Sequence, residues 1–264
     1  MQLSLKVADQ IATITFDNPP LQVMTPATIN ELNALTPRLM EDDVRVIIFT
    51  GASDKYFIRH FSVEELDANT RGEGGGWDIS LDALLCQLER MPKPFICAMN
   101  GSAMGGGLEF ALAADIRVVK DGPFTFGLPE VSVGLLPGGG GTQRLTAVVG
   151  RGRAMELMLR PRLIGAKDLL AYGVVEVLVD ADSEETALER ARHIALEIAS
   201  RPPLAVAHIK RLVREAVSPV TMEMLTLESK LFSELMRTPE TQALLKAVAA
   251  QHRVERATRE AHAS

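Results

Sequence analysis

Cysteine is nearly absent: the chain has two in 264 residues, Cys86 and Cys97. Both stand in apolar runs, "LLCQL" and "FICAM", and read as small core residues. One disulfide is the alternative, but a reduced, cytoplasmic setting is the expectation. Two cysteines and five scattered histidines offer no metal-ligand spacing. A basic excess is missing too. Lys+Arg is 28 against an Asp+Glu of 34, a formal net charge of −6. Phosphate-backbone binding needs a basic surface, so nucleic acid is not expected as the main partner. A local basic patch for a small phosphorylated ligand stays open. No apolar run is long enough to span a bilayer, so no membrane partner is expected. The start "MQLSLKVADQ" lacks the basic n-region and apolar core of a signal peptide.

What is present is ordinary for a soluble enzyme-sized chain, 47% hydrophobic and 23% charged. "LSLKV" and "IATITF" alternate and carry β-branched residues, which predicts a hairpin around Ala8–Gln10. Thr25 and Pro26 read as N-cap and first residue of a helix. "VRVIIFTG" reads as a strand buried on both faces. From Tyr56 to Gly76 the pattern breaks, with room for a short helix and a flexible "RGEGGG" loop. A helix is predicted over Ile79–Arg90, a strand over Phe95–Met99, and strands at "IRVVK", "FTF" and "VVEVLVD". Helices are predicted near Thr142–Val149, Arg151–Leu159 and Ala166–Tyr172. After about Glu184 the pattern is all helical, broken at Pro202–Pro203, Ser218–Pro219 and Thr238–Pro239. The fold class is therefore α/β, with β–β–α units recurring loosely and a helical C-terminal region.

Two glycine clusters break this pattern. "GSAMGGGLE" places Gly105–Gly107 at a strand-to-helix junction, with Glu109 just inside. Glycine lets a ligand approach backbone N–H groups closely, which suits a phosphate or a developing oxyanion. The dinucleotide pattern fails because Gly101 is followed by Ser, Ala and Met, and no Gly-Lys-[Ser/Thr] occurs near either cluster. Close strand–helix packing is the bland alternative. The second cluster, "FGLPEVSVGLLPGGGGTQRL", sets Glu130 ahead of Gly138–Gly141. A carboxylate among apolar residues costs free energy unless paired or neutralised. Glu109 could cap a helix, and Glu130 could pair with Arg144. Two such acids, each beside a glycine turn, point instead to a general acid/base pair with raised pKa values.

These residues resemble the crotonase (enoyl-CoA hydratase/isomerase) superfamily. The resemblance runs from "NGSAMGGGLEFALAADIRV" through "FGLPEVSVGLLPGGGGTQRL" to "GVVEVLV", in order, over roughly Ile11 to Pro203. It implies a spiral of β–β–α units over residues 1–200. It implies a C-terminal helical region, 201–264, that takes part in a homotrimer or a dimer of trimers. The implied substrate is an acyl-CoA thioester, with no metal or redox cofactor. By motif position the thioester oxygen takes hydrogen bonds from the N–H groups of Phe61 and Gly106. Glu109 and Glu130 are the implied catalytic acids. Met24, His60, Gly105 and Gly138 are the implied substrate-binding positions. Keeping both acids favours an enoyl-CoA hydratase over a single-acid isomerase. Ring hydration or cleavage, thioester hydrolysis and non-catalytic acyl-CoA binding are the alternatives.

The chain departs from the family where "RHFS" replaces an Ala-Gly-x-Asp segment. His60 stands for the family glycine, Ser62 for the aspartate, and Glu64 for a lysine near the CoA phosphates. A side chain at position 60 is expected to strain or re-aim the Phe61 N–H, and His60 reads as a pocket residue or as a loop histidine facing solvent. Phe61 and "RGEGGGWD" imply a remodelled acyl pocket, with Trp77 alternatively a surface or interface aromatic. "LTLESKLFSELMRTPETQALLKAV" keeps the family's Glu228, Phe232 and Thr238 pattern. Lys210 and Arg211 read as a solvated helix face or as phosphate contacts.

Overall fold

Two residues of positive φ, Asp9 at 52° and Gln10 at 64°, close the first hairpin. That backbone twist joins β1 (Leu3–Ala8) to β2 (Ile11–Phe16) in antiparallel register. Helix α1 (Pro26–Leu39) begins with Thr25 as its cap, in a box with Thr28, and with proline in its first turn. Strand β3 (Val46–Gly51) then returns parallel to β2. The computed structural model describes residues 1–217 and 222–263, so the predicted break at Ser218–Pro219 lies outside the described residues.

From β3 onward a unit recurs. One strand enters a large sheet, the next enters a small one, and helix follows. The pairs are β3 with β4 (Tyr56–Ile58), β5 (Phe95–Met99) with β6 (Ser102–Met104), and β7 (Ile116–Lys120) with β8 (Phe126–Gly127). The large sheet has the order β1-β2-β3-β5-β7-β9, closed by β9 (Val177–Val179). The small sheet has the order β4-β6-β8. Intervening helices are α2 (Val63–Thr70), α3 (Leu81–Arg90), α4 (Gly106–Leu112), α5 (Gly141–Val149), α6 (Arg151–Leu159) and α7 (Ala166–Ala171). A single 3-10 turn, Glu130–Val133, precedes α5. This is the expected spiral of β–β–α units. The sequence missed β4 and β6, each only three residues long and too short for a period to register.

The large sheet is buried on both faces, as its continuous apolar strands predict. In β3, Ile47 and Phe49 join the main core, while Val46 and Ile48 face the other side. In β5, Cys97 joins the main core and Ile96 and Ala98 the second. Helix α8 (Ala187–Ala199) covers that second face with Ala187, Ala191, Ala195 and Ala199, one every four residues. Both cysteines are buried free thiols.

Three further helices follow: α9 (Pro203–Val217), α10 (Met222–Met236) and α11 (Pro239–Ala263). Helix α9 is tied to the start of β7. Lys210 is buried, its Nζ 2.8 Å from Asp115 Oδ2 and donating to the Lys93 carbonyl at 2.9 Å. Arg214 reaches the other oxygen of Asp115 at 2.6 Å. Lys210 therefore corrects the solvated-face reading: its side chain is buried and committed to Asp115 and the Lys93 carbonyl. Arg211 is exposed and pairs with Glu215. Helix α10 reaches back to the second glycine turn, and α11 packs along α2.

Candidate active site

The first glycine cluster sits where β6 gives way to α4. Gly105 has φ +50° and ψ −129°, a conformation that glycine adopts without steric cost. A side chain there would also meet Glu130 Oε1 at 3.1 Å. Gly107 lets α4 approach the small sheet, since a methyl group on it would lie 2.2 Å from the Ile58 carbonyl oxygen. Gly106 faces Phe61: a methyl group on it would lie 3.2 Å from Phe61 Cβ and 3.4 Å from the Phe61 nitrogen.

Phe61 is held from behind. The Met24 N–H donates to the His60 carbonyl at 2.9 Å, and the Ser62 N–H donates to the Met24 carbonyl at 2.8 Å. This bridge occupies one edge of the segment and leaves the Phe61 N–H on the other. Among the described residues neither the Phe61 N–H nor the Gly106 N–H has a hydrogen-bond acceptor. Met24 itself is 2% exposed and packs behind Phe61 and Gly106, while the other seven expected site residues line one cavity. That cavity, of about 460 Å³, brings together His60, Phe61, Gly105, Gly106, Glu109, Glu130 and Gly138. Its remaining wall is mostly apolar, with Trp77, Leu135 and Phe232 among its residues.

Glu109 is 3% exposed. Its Oε1 accepts from the Gly139 N–H at 2.7 Å and from the Gly141 N–H at 2.8 Å. So Glu109 does cap a helix, but it is α5 rather than its own. Glycine is required around it: a methyl group on Gly141 would lie 2.8 Å from Glu109 Oε1. Burial raises the Glu109 pKa to about 7, and the nearby Glu228 charge adds to the rise. The two N–H groups and Arg144 pull the other way.

Glu130 opens the 3-10 turn on the other side of Gly105. The residue is half-buried, but its Oε2 is fully enclosed and has no hydrogen-bond partner among the described residues. Burial, and then the charge of Glu109, push its carboxyl well above the ordinary range. The pairing of Glu130 with Arg144 does not form. Arg144 instead grips Glu89 through two hydrogen bonds of 2.8 Å and donates to the Gly139 carbonyl at 2.6 Å.

Position 60 carries its side chain without the expected strain, since the positive-φ residues other than glycine are Asp9, Gln10 and Gln22. His60 does not face solvent either. Its Nδ1 lies 2.7 Å from the Phe61 carbonyl oxygen, and its ring stacks on His252 of α11 at 5.1 Å. Burial lowers its pKa to about 4, so the imidazole is neutral near neutral pH. Trp77 stacks on Phe61, with ring centroids 5.3 Å apart and planes 17° apart. Ser62 caps α2, and Glu64 pairs with Arg256 of α11 at 2.8 Å.

In the sequence Glu228 stands only as part of a family pattern, with no role of its own. The Gly140 N–H donates to Glu228 Oε1 at 2.7 Å, between the two donors that hold Glu109. Nothing local marks it, because Gly140 and Glu228 are 88 positions apart. Among the described residues no group of His, Cys, Asp and Glu is placed to hold a metal ion. None of the described helices is long and apolar enough to cross a membrane.

The chain is similar to known proteins over most of its length. The family described as enoyl-CoA hydratase/isomerase matches residues 6–256. The chain is 31% identical over 253 residues to a short-chain-enoyl-CoA hydratase of Clostridium acetobutylicum, covering 95% of each. It is 33% identical over 207 residues to a carnitinyl-CoA dehydratase of Escherichia coli, covering 77% of each. Among solved structures it is similar to an enoyl-CoA hydratase from Mycobacterium avium subsp. paratuberculosis, with TM-score 0.81 and 25% identity. That match covers 93% of this chain and 98% of the other.

Proposed function

The chain belongs to the enoyl-CoA hydratase/isomerase family, and from that premise we propose that it adds water to a 2-enoyl-CoA thioester to give the 3-hydroxyacyl-CoA. The observation that carries this is the pair of enclosed carboxyls, Glu109 and Glu130, lining one cavity beside Gly106 and Phe61.

The Phe61 and Gly106 N–H groups hold the thioester oxygen and stabilise the enolate that forms as water adds. Glu109, whose carboxylate oxygen accepts from two backbone donors, takes the proton from water. The hydroxide oxygen bonds to the β-carbon. Glu130, kept protonated by its unpartnered burial, gives its proton to the α-carbon. The proton gained by Glu109 balances the one lost by Glu130, and exchange with solvent resets both. A single acid would serve a double-bond shift; two acids fit addition of water. Assembly as a trimer or a dimer of trimers belongs to the same reading. It is supported by Leu204, Ile209, Leu212 and Val213, exposed apolar side chains on α9 that a second copy would cover.

Crotonyl-CoA is the test substrate, followed by loss of the enoyl thioester absorbance. Glu109→Gln and Glu130→Gln are each expected to lower kcat by about 10²–10⁴, the range for a general acid or base. Full turnover by either variant would sink the assignment of that residue.

A further inference from the structure

The glycine turn at 138–141 carries two carboxylates. Consecutive N–H groups point to alternate acids: Gly139 and Gly141 donate to Glu109 Oε1 at 2.7 and 2.8 Å, while Gly140 donates to Glu228 Oε1 at 2.7 Å. The Thr142 hydroxyl donates to the other oxygen of Glu228. Glu228 comes from α10 and is 4% exposed. Gly140 has φ +90°. A side chain on it would also strike Arg144, whose guanidinium lies 2.1 Å from where a methyl group would be. The turn is thus fixed from two sides, by Glu109 on its outer N–H groups and by Glu228 on its central one.

We propose that Glu228 is a positioning residue, which locks the 139–141 turn so that its outer N–H groups aim at Glu109, and whose charge acts on Glu109 across that turn. The inference rests on the reading of Glu109 as the group that takes a proton from water. The charged groups around the two acids come from four elements. Arg144 lies on α5, Asp82 on α3, Glu130 on the 3-10 turn and Glu228 on α10. Arg144 is already committed to Glu89, which leaves Glu228 as the largest charge raising the proton affinity of Glu109. A helix start offsets only part of two negative charges. Removing one of them favours the ionised form of the other.

The substitution Glu228→Gln keeps an oxygen for the Gly140 N–H and removes the charge. With crotonyl-CoA, the acidic limb of its kcat/KM profile is expected to move down by about one pH unit, the low end for a close like charge. KM is expected to stay within about twofold, since no substrate contact is lost. A second readout needs no turnover. The thermal midpoints of wild type and Glu109→Gln diverge as pH rises from the ordinary carboxylate range, and stop diverging where the folded protein's Glu109 loses its proton. In a Glu228→Gln background that divergence is expected to level off at lower pH by the same amount, and so to be smaller. Thr142→Val, which takes one hydrogen bond from Glu228 and leaves its carboxyl, is expected to move both readouts the same way but less. It keeps the test open if Glu228→Gln does not fold. A merely structural Glu228 would lower the thermal midpoint equally at every pH and move neither limb nor divergence; that result overturns the proposal. If Glu109→Gln retains full turnover, it is the reading of Glu109 that fails instead.

Discussion

The backbone nitrogen of Phe61 lies 3.4 Å from the point where a methyl group on Gly106 would sit. Two N–H donors from segments 45 positions apart therefore border one gap. Gly106 is helical with ordinary φ, so alanine fits its backbone. Gly106→Ala is expected to fold and to fill the gap. Loss of one oxyanion donor typically costs about 10²–10³ in kcat. Steady-state kinetics with crotonyl-CoA checks this. A change in KM alone would argue that the gap binds substrate without stabilising the enolate.

Both acids were legible in the sequence because each interrupts an apolar run, and an unpaired carboxylate there needs a reason. The glycine clusters were legible as backbone approach sites. What escaped was long-range. Arg144 offered itself to Glu130 across 14 positions but is claimed by Glu89, 55 positions away on α3. Lys210 read as a surface cation on an amphipathic helix, and only the docking of α9 on Asp115 buries it. His60 read as a pocket residue, or else as a strained or solvent-facing substitute for glycine. Its accommodation depends on His252, from a helix almost 200 positions later. Periodicity reports which face of an element is buried, not which distant charge waits there.

Glu109 makes stability depend on pH. Its carboxyl is raised from an ordinary value of 4.5 to about 7. Between those values the folded protein holds a proton that the unfolded chain has released, so stability falls as pH rises through the window. Below it both states are protonated and nothing is lost. Glu109→Gln removes this dependence. The two proteins are expected to melt nearly together at about pH 5, with the variant ahead by a few degrees at about pH 8. Parallel melting curves would mean that Glu109 titrates in its ordinary range.

Trp77 is the chain's only tryptophan, and it stacks on Phe61 at the cavity wall. Its fluorescence is therefore a clean report on that wall. Titration with CoA or a non-reacting acyl-CoA is expected to change its intensity in a saturable way. Trp77→Phe should remove the signal while leaving an aromatic ring over Phe61 and turnover within about threefold. Saturable binding by calorimetry with no fluorescence change would place the ligand away from Phe61.

Asp115 joins α9 to the sheet, and its removal is expected to cost more than removal of either partner. Its carboxylate accepts from Lys210 at 2.8 Å, from Arg214 at 2.6 Å and from the Phe95 N–H at 2.8 Å. Asp115→Ala leaves the buried Lys210 ammonium without its counter-charge, and burial already lowers that group's pKa. Breaking a buried pair this way costs about 3–5 kcal/mol. Lys210→Met leaves Asp115 still paired with Arg214 and lets an unbranched apolar chain fill the same space, so about 1–2 kcal/mol is expected. Urea unfolding of the two variants tests the order. Equal losses would mean that the cost comes from packing at α9 rather than from an orphaned charge.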